Sequence, residues 1–210
     1  MASKSNYKKQ SPSAQAPKCW PEDITYLTTP RYFQSISPAA LRIQKSEVVD
    51  LTTILPVSTG PSSNVRIKEI NNPKHPAHGQ SGLFAARHLA PDAFILQYLG
   101  FVHTNEDADP KSNYDLNLDR ELGIGVDATH FGNEARFIND YRGISDRPNA
   151  EFREVWVEMS KGELEKRMGV FVLSAGKSGK RSKGITKNEE ILVSYGKGFW
   201  RVLQNEALQD

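Results

Sequence analysis

Between positions 135 and 143 the chain reads Ala-Arg-Phe-Ile-Asn-Asp-Tyr-Arg-Gly, preceded by Gly132-Asn133 and followed by Arg147-Pro148-Asn149-Ala150-Glu151. Neither a helical nor a strand period persists through it, and a short segment of mixed polarity reads on its own as a surface loop. That reading leaves Phe137 and Ile138, wedged between an arginine and an Asn-Asp pair, without a reason. The remainder of the chain supplies one.

The 210 residues are enough for one sizeable core. A hydrophobic fraction of 38% and a charged fraction of 25% are those of an ordinary globular protein, so burial needs neither metals nor disulfides. The formal net charge of +2 is too balanced for a protein whose main work is neutralising phosphates, which argues against direct nucleic-acid binding as the primary role. A single cysteine, Cys19, permits no disulfide framework and no cysteine zinc cluster, and fits a reducing, intracellular compartment. No apolar run approaches the roughly 18 residues of a membrane span, and the N-terminus has no signal-peptide core, so the reading has no membrane partner.

Residues 1–17 are Ser, Lys, Gln, Ala and Pro with little to bury, and read as a disordered tail. Residues 18–64 hold apolar side chains interrupted by prolines at 21, 30, 38, 56 and 61, which predicts an irregular wrap with one or two short helices. From Val65 the texture changes to short β-rich runs separated by turn residues. Strands are expected over Val65–Ile70, Gly82–Arg87, Phe94–Leu99, Tyr114–Leu118, Ile124–Val126, Glu151–Glu158, Met168–Leu173 and Ile191–Val193. Only 198–208 has a helical apolar side, leaving 204–210 as a C-terminal tail. The Lys177–Lys183 run is basic and flexible, a solvated loop first and a nuclear-import or acidic-partner patch second.

Four stretches bear on function together. Gly79-Gln80-Ser81-Gly82-Leu83-Phe84-Ala85 is a small-residue turn entering a strand, where backbone can approach a ligand closely. Phe94–Gly100 is a buried-looking strand carrying Tyr98. Val126-Asp127-Ala128 leads into the 135–143 segment. Asn188-Glu189-Glu190-Ile191-Leu192-Val193-Ser194-Tyr195-Gly196-Lys197-Gly198-Phe199-Trp200 is a turn, a strand, then a tyrosine and two aromatics. In this order and spacing they resemble the SET domain, the fold of protein lysine methyltransferases. The family's glycine turn resembles 80–85, its Glu-Tyr-x-Gly-Glu strand Gln97–Phe101, and its Tyr-x-Phe-x-Leu strand Tyr114–Leu118. Its Ile-Asp-Ala, Gly-Asn, Arg-Phe-Ile-Asn-His-Ser and Pro-Asn-Cys-Glu series resembles 126–151, and its Gly-Glu-Glu-Leu, Asp-Tyr-Gly and Phe-Trp signature resembles 188–200. The likeness covers about 65–203. This chain departs from the pattern at Gln80, at Phe101 and at Asp140-Tyr141, and it lacks the cysteine-rich zinc segments that flank many relatives.

The resemblance implies a mainly β fold of several small sheets with short helices, in which the Arg-Phe-Ile-Asn segment lies beneath a knot-like crossing of the C-terminal segment, an exception to the usual avoidance of threading. The loop at 135–143 is then buried and functional. It implies S-adenosylmethionine as cofactor and a lysine-bearing protein as substrate, a histone tail or a non-histone protein, with the nucleus ahead of the cytoplasm. By the same resemblance Tyr195 faces the transferring methyl, with Tyr98 as a second wall of the lysine channel. Asn139 binds the amino-acid end of the cofactor. Arg136, Phe137 and Asp140 shape its bed, while Gly79, Ser81, Gly82, Asn113 and Tyr114 line the other side and Phe199 or Trp200 stacks on the adenine. A SET-like module that binds a protein partner or chromatin without catalysis is the alternative.

Neither the composition nor the resemblance offers a zinc site: the five histidines are scattered and only one cysteine is present. Chelator treatment is therefore expected to leave the melting temperature and cofactor binding unchanged, and unfolding by chelator in a thermal scan would contradict this.

Overall fold

Short β-rich runs become short strands, and the prolines and glycines between them become the turns that fold the strands into separate small sheets. The computed structural model describes residues 15–47, 54–160, 162–177, 179 and 181–196. The helix expected over 198–208, and with it Phe199 and Trp200, lies outside the described residues, as does most of the 1–17 tail.

The N-terminal part carries β1 (Thr25–Tyr26), β2 (Arg31–Tyr32), β3 (Arg42–Gln44) and β4 (Ile54–Pro56), and its only helical turns among the described residues are 3-10 turns at Pro38–Leu41 and Lys45–Glu47. Then follow β5 (Val65–Glu69), β6 (Ser81–Ala85), β7 (Phe94–Tyr98), β8 (Phe101–Thr104), β9 (Asp115–Asp119) and β10 (Ile124–Asp127). The last group is β11 (Phe131–Gly132), a 3-10 turn at Glu134–Phe137, β12 (Asn139–Asp140), β13 (Ala150–Glu158), β14 (Glu163–Val172) and β15 (Leu192–Val193).

These strands form five sheets: β1-β11, β2-β8-β10-β9, β3-β14-β13-β4 with β7 also on β14, β5-β6, and β12-β15. The four N-terminal strands each add an edge to a sheet built by the later part of the chain: β1 on β11, β2 on β8, β3 on β14 and β4 on β13. Inward side chains such as Leu83, Ala85, Ile95, Val126, Ile138, Ile191 and Val193 make the main core. Val155, Val157 and Phe171 form a smaller one under Phe94 and Leu55. Each fully buried aliphatic side chain contributes about 1.5–3 kcal/mol.

The expected strands all occur, but β14 is longer than expected and β1–β4, β8, β11 and β12 are additional. β14 begins at Glu163 rather than Met168, because its charged first half pairs with β3 and with β13. β8 was not expected: Phe101-Val102-His103-Thr104 follows Gly100 immediately and its pairing with β2 and β10 is long-range.

The crossing expected from the family resemblance is present. β15 pairs in parallel with β12, Asn139 beside Leu192 and Asp140 beside Val193. On the other side Asn149 takes up the same strand: Leu192 N donates to Asn149 Oδ1 at 2.8 Å and Asn149 N donates to Leu192 O at 3.0 Å. The chain after Glu190 thus runs between the two ends of the 141–149 loop.

Two buried charged groups tie β3 and β7 to β14 within one sheet. Glu165, 1% exposed, receives Arg42 Nε at 2.9 Å and Arg167 Nε at 2.8 Å, and Arg167 also donates to Gln97 Oε1. Both charges therefore have the partners that burial demands.

His103 on β8 places Nε2 at 3.0 Å from Asp115 Oδ1 and Nδ1 at 2.9 Å from Thr104 O. Both neighbours are acceptors, so the ring is best satisfied when both nitrogens carry protons. The hydrogen bond to Asp115 raises the His103 pKa against the opposing effect of burial. A raised histidine pKa stabilises fully below the unfolded value of about 6.5 and less as pH climbs through the folded value. Urea unfolding of the wild type and His103→Gln should therefore differ more at about pH 5.5 than at about pH 8.5. A difference that grows with pH would show the pairing to be misread.

Candidate active site

Three pieces of backbone converge on the 135–143 segment: the glycine turn before β6, the end of β7, and the chain leaving β15. The turn is shaped by two glycines for different reasons. Gly79 adopts φ of 78°, the left-handed region that side chains rarely occupy. At Gly82 a Cβ would sit 2.8 Å from Glu190 Oε1 and 3.1 Å from Ile70 Cδ1, so only glycine lets the turn lie against that carboxylate. Ser81 opens β6 and is half-buried.

Arg136 is 9% exposed, with Nε donating to Ala128 O at 3.0 Å and its guanidinium 4.4 Å from the Tyr114 ring and 5.0 Å from the Phe137 ring. Phe137 takes the edge of Trp20 from the N-terminal segment, centroids 5.6 Å apart. Glu134, just before, is buried; it accepts Ser62 N at 2.7 Å and Tyr26 Oη at 3.2 Å. Its burial holds the carboxyl pKa above the ordinary value, opposed by these hydrogen bonds. The Arg-Phe pair is thus clamped by N-terminal residues.

The two tyrosines singled out in the sequence come together. Tyr195 Oη donates to Ile138 O and Tyr98 Oη to Tyr114 O, each at 2.6 Å. Burial is the main cause that raises both phenol pKa values, and each tyrosine's neighbours add to it: Tyr195 beside Tyr98, and Tyr114 beside Tyr195. Both hydroxyls are therefore neutral donors to backbone carbonyls throughout the working pH range. Phe152 meets the Tyr98 ring edge-on at 5.6 Å, an aromatic neighbour that the sequence did not single out.

Asn139 donates from Nδ2 to Glu190 Oε1 at 2.8 Å. Asp140 is 7% exposed, and its carboxylate accepts Tyr195 N at 2.7 Å, Arg142 N at 2.9 Å and Arg142 Nη1 at 3.1 Å. That acid is turned inward and fastens Tyr195 to β12. Asn113 is exposed beside the half-buried Tyr114 at the mouth of β9. Phe199 and Trp200 lie outside the described residues. Glu190 and His75, which meet at 3.0 Å, are the site residues the sequence did not suggest. Glu190 sits inside a quoted motif without a role there, and nothing around His75 in the sequence distinguishes it. Among the described residues no group of three or more His, Cys, Asp or Glu is placed to hold a metal, and no helix is long and apolar enough to cross a membrane.

Comparison with known proteins adds the following. Among solved structures, the complex titled ctPRC2 in an autoinhibited conformation bound to S-adenosylmethionine is similar at 21% identity and a TM-score of 0.48, over 72% of this chain and 19% of that one. The Chaetomium thermophilum polycomb repressive complex 2 is similar at 22% identity and a TM-score of 0.46, over 68% of this chain and 17% of that one. The chain thus spans less than a fifth of the length of these solved chains. No curated protein matches it. The family model of the SET domain matches residues 80–196, more than half of the chain and most of the constellation described above, and the chain belongs to the SET-domain family.

Proposed function

We propose that the chain is an S-adenosylmethionine-dependent protein lysine N-methyltransferase. The observation that carries this reading is the pair of phenols, half-buried Tyr195 and buried Tyr98, whose protons are both committed to backbone carbonyls, of Ile138 and of Tyr114. Such hydroxyls cannot serve as bases, but they can accept: their lone pairs suit the weak CH contacts of a polarised methyl group and the N–H of an amine.

The residues present fit the cofactor. The turn at 79–82 has small side chains and an open face, Gly79 having no heavy atom within 4 Å of the position a Cβ would take. Asn139 lies opposite it across Glu190. When bound, the cofactor supplies an electrophilic methyl on a sulfonium. Gly79, Ser81, Gly82 and Asn139 hold its amino-acid end, Arg136 and Phe137 support the bed, and Asn113 and Tyr114 close the side. Asp140 acts from behind, holding Tyr195 against β12 through the Tyr195 amide.

The nucleophile is a substrate lysine, reactive only as the neutral amine. Starting from a pKa of about 10.4, neutrality near pH 7.5 costs about 4 kcal/mol in water. Tyr98, Tyr114, Phe152 and Tyr195 form an apolar wall that disfavours the ammonium form, so desolvation and the nearby positive charge replace a dedicated base. Alignment by the two hydroxyls supplies much of the remaining rate. The substrate is a lysine-bearing protein, a histone tail among the candidates, and the nucleus is the matching compartment.

The test is a radiolabelled methyl-transfer assay on histones and on whole-cell extract, with Tyr195→Phe and Asn139→Ala alongside. Tyr195→Phe keeps the aromatic wall, so cofactor affinity stays while turnover falls or the number of methyls added changes. Asn139→Ala weakens the cofactor roughly 5- to 100-fold, the scale of one lost buried hydrogen-bond partner. Undiminished turnover in folded Tyr195→Phe would overturn the catalytic assignment. Cofactor binding without transfer to any protein would favour a binding module instead.

A further inference from the structure

We propose that His75, from the connection between β5 and β6, is a positioning residue of the cofactor site: through Glu190 it fixes which atom of the Asn139 amide faces the cofactor. This rests on the methyltransferase reading and goes beyond it, since nothing in the 80–196 family segment includes His75.

The geometry is a relay of three side chains. His75 Nε2 lies 3.0 Å from Glu190 Oε2, and Asn139 Nδ2 donates to Glu190 Oε1 at 2.8 Å. The His75 and Glu190 side chains are only 6% and 10% exposed. The ring cannot turn freely, because Ala77 N donates to His75 Nδ1 at 3.0 Å. With Nδ1 accepting, the proton belongs on Nε2, directed at Glu190. The connection is itself held: His75 N donates to Asn72 O at 3.0 Å, His78 N to His75 O at 2.9 Å and Gly79 N to Ile70 O at 2.9 Å. It also packs on the segment beyond Asn139, where a Cβ on Gly143 would meet Pro76 Cγ at 2.7 Å.

The consequence follows from donor and acceptor bookkeeping. A carboxylate only accepts, so Asn139 must turn its NH₂ toward Glu190 and its carbonyl oxygen away. Among the described residues no buried side-chain nitrogen or oxygen lacks a partner. Asn139 Oδ1 has none among the described residues, and the residue is half-buried, so this oxygen is itself accessible. An acceptor there suits a donor of positive charge, which on an amino-acid moiety is the α-ammonium group. His75 keeps Glu190 in place for this; without it the carboxylate has one anchor fewer and the amide loses its fixed direction.

The test measures S-adenosylhomocysteine affinity by calorimetry on the full chain for wild type, His75→Ala, His75→Gln, Asn139→Ala and the His75→Ala/Asn139→Ala double variant. His75→Ala is expected to weaken affinity roughly tenfold, on the scale of one hydrogen bond, and His75→Gln, whose amide nitrogen can occupy the Nε2 position, to restore most of it. In the Asn139→Ala background the His75 change should have no further effect, because the amide it positions is gone. If His75→Ala does not fold, Glu190→Gln takes its place: with one accepting oxygen instead of two it cannot serve both neighbours, and the same loss and the same silence are expected. Unchanged affinity, or losses that add in the double variant, overturns the inference while leaving the methyltransferase reading intact. A wild type that binds no S-adenosylhomocysteine overturns both.

Discussion

The site depends on one carboxylate facing inward. Asp140 accepts the Tyr195 amide at 2.7 Å from a buried position, and this bond, with the parallel pairing of β12 and β15, holds the chain after Glu190 against the Asn139 strand. A charge-assisted hydrogen bond in a dry setting is stronger than a neutral one in water. Remove it and the tyrosine hydroxyl has no fixed relation to Ile138 O, to Asn139 or to the glycine turn. Where the family pattern carries histidine, this chain has an acid, and Arg142 Nη1 pairs with it at 3.1 Å.

Once that crossing is made, the remaining order in the site is set by the direction of hydrogen bonds. Two phenols give their protons to carbonyls. One amide gives its NH₂ to Glu190 and keeps its oxygen. Burial raises the phenol pKa values and keeps these donors neutral.

The N-terminal residues contribute to this although they lie outside the family segment. Trp20 packs on Phe137, Tyr26 and Ser62 hold Glu134, and four short strands extend four sheet edges. Edge strands paired in this way also cover backbone groups that would otherwise be open to association. Prolines at 21, 30, 38, 56 and 61 interrupt this segment, and its strands of two or three residues are too short to carry a periodicity of their own.

Much was legible before any coordinates. The alternating or apolar runs placed β5, β6, β7, β9, β10 and β13 within a residue or two, because their side chains are sorted by a local rule, one face inward and one outward. The motifs carried the family and singled out Tyr195, Tyr98 and Asn139 as candidates. What the sequence could not show is anything set by distant partners. The charged first half of β14 is a strand because β3 and β13 flank it. Asp140 is buried because Tyr195, 55 positions away, comes to it. His75 meets Glu190, 115 positions away, only through the fold. The sequence by itself determined which residues prefer strand and turn and which family they make. Tertiary structure alone decided which polar atom faces which, since that depends on pairs of groups that no local pattern brings together.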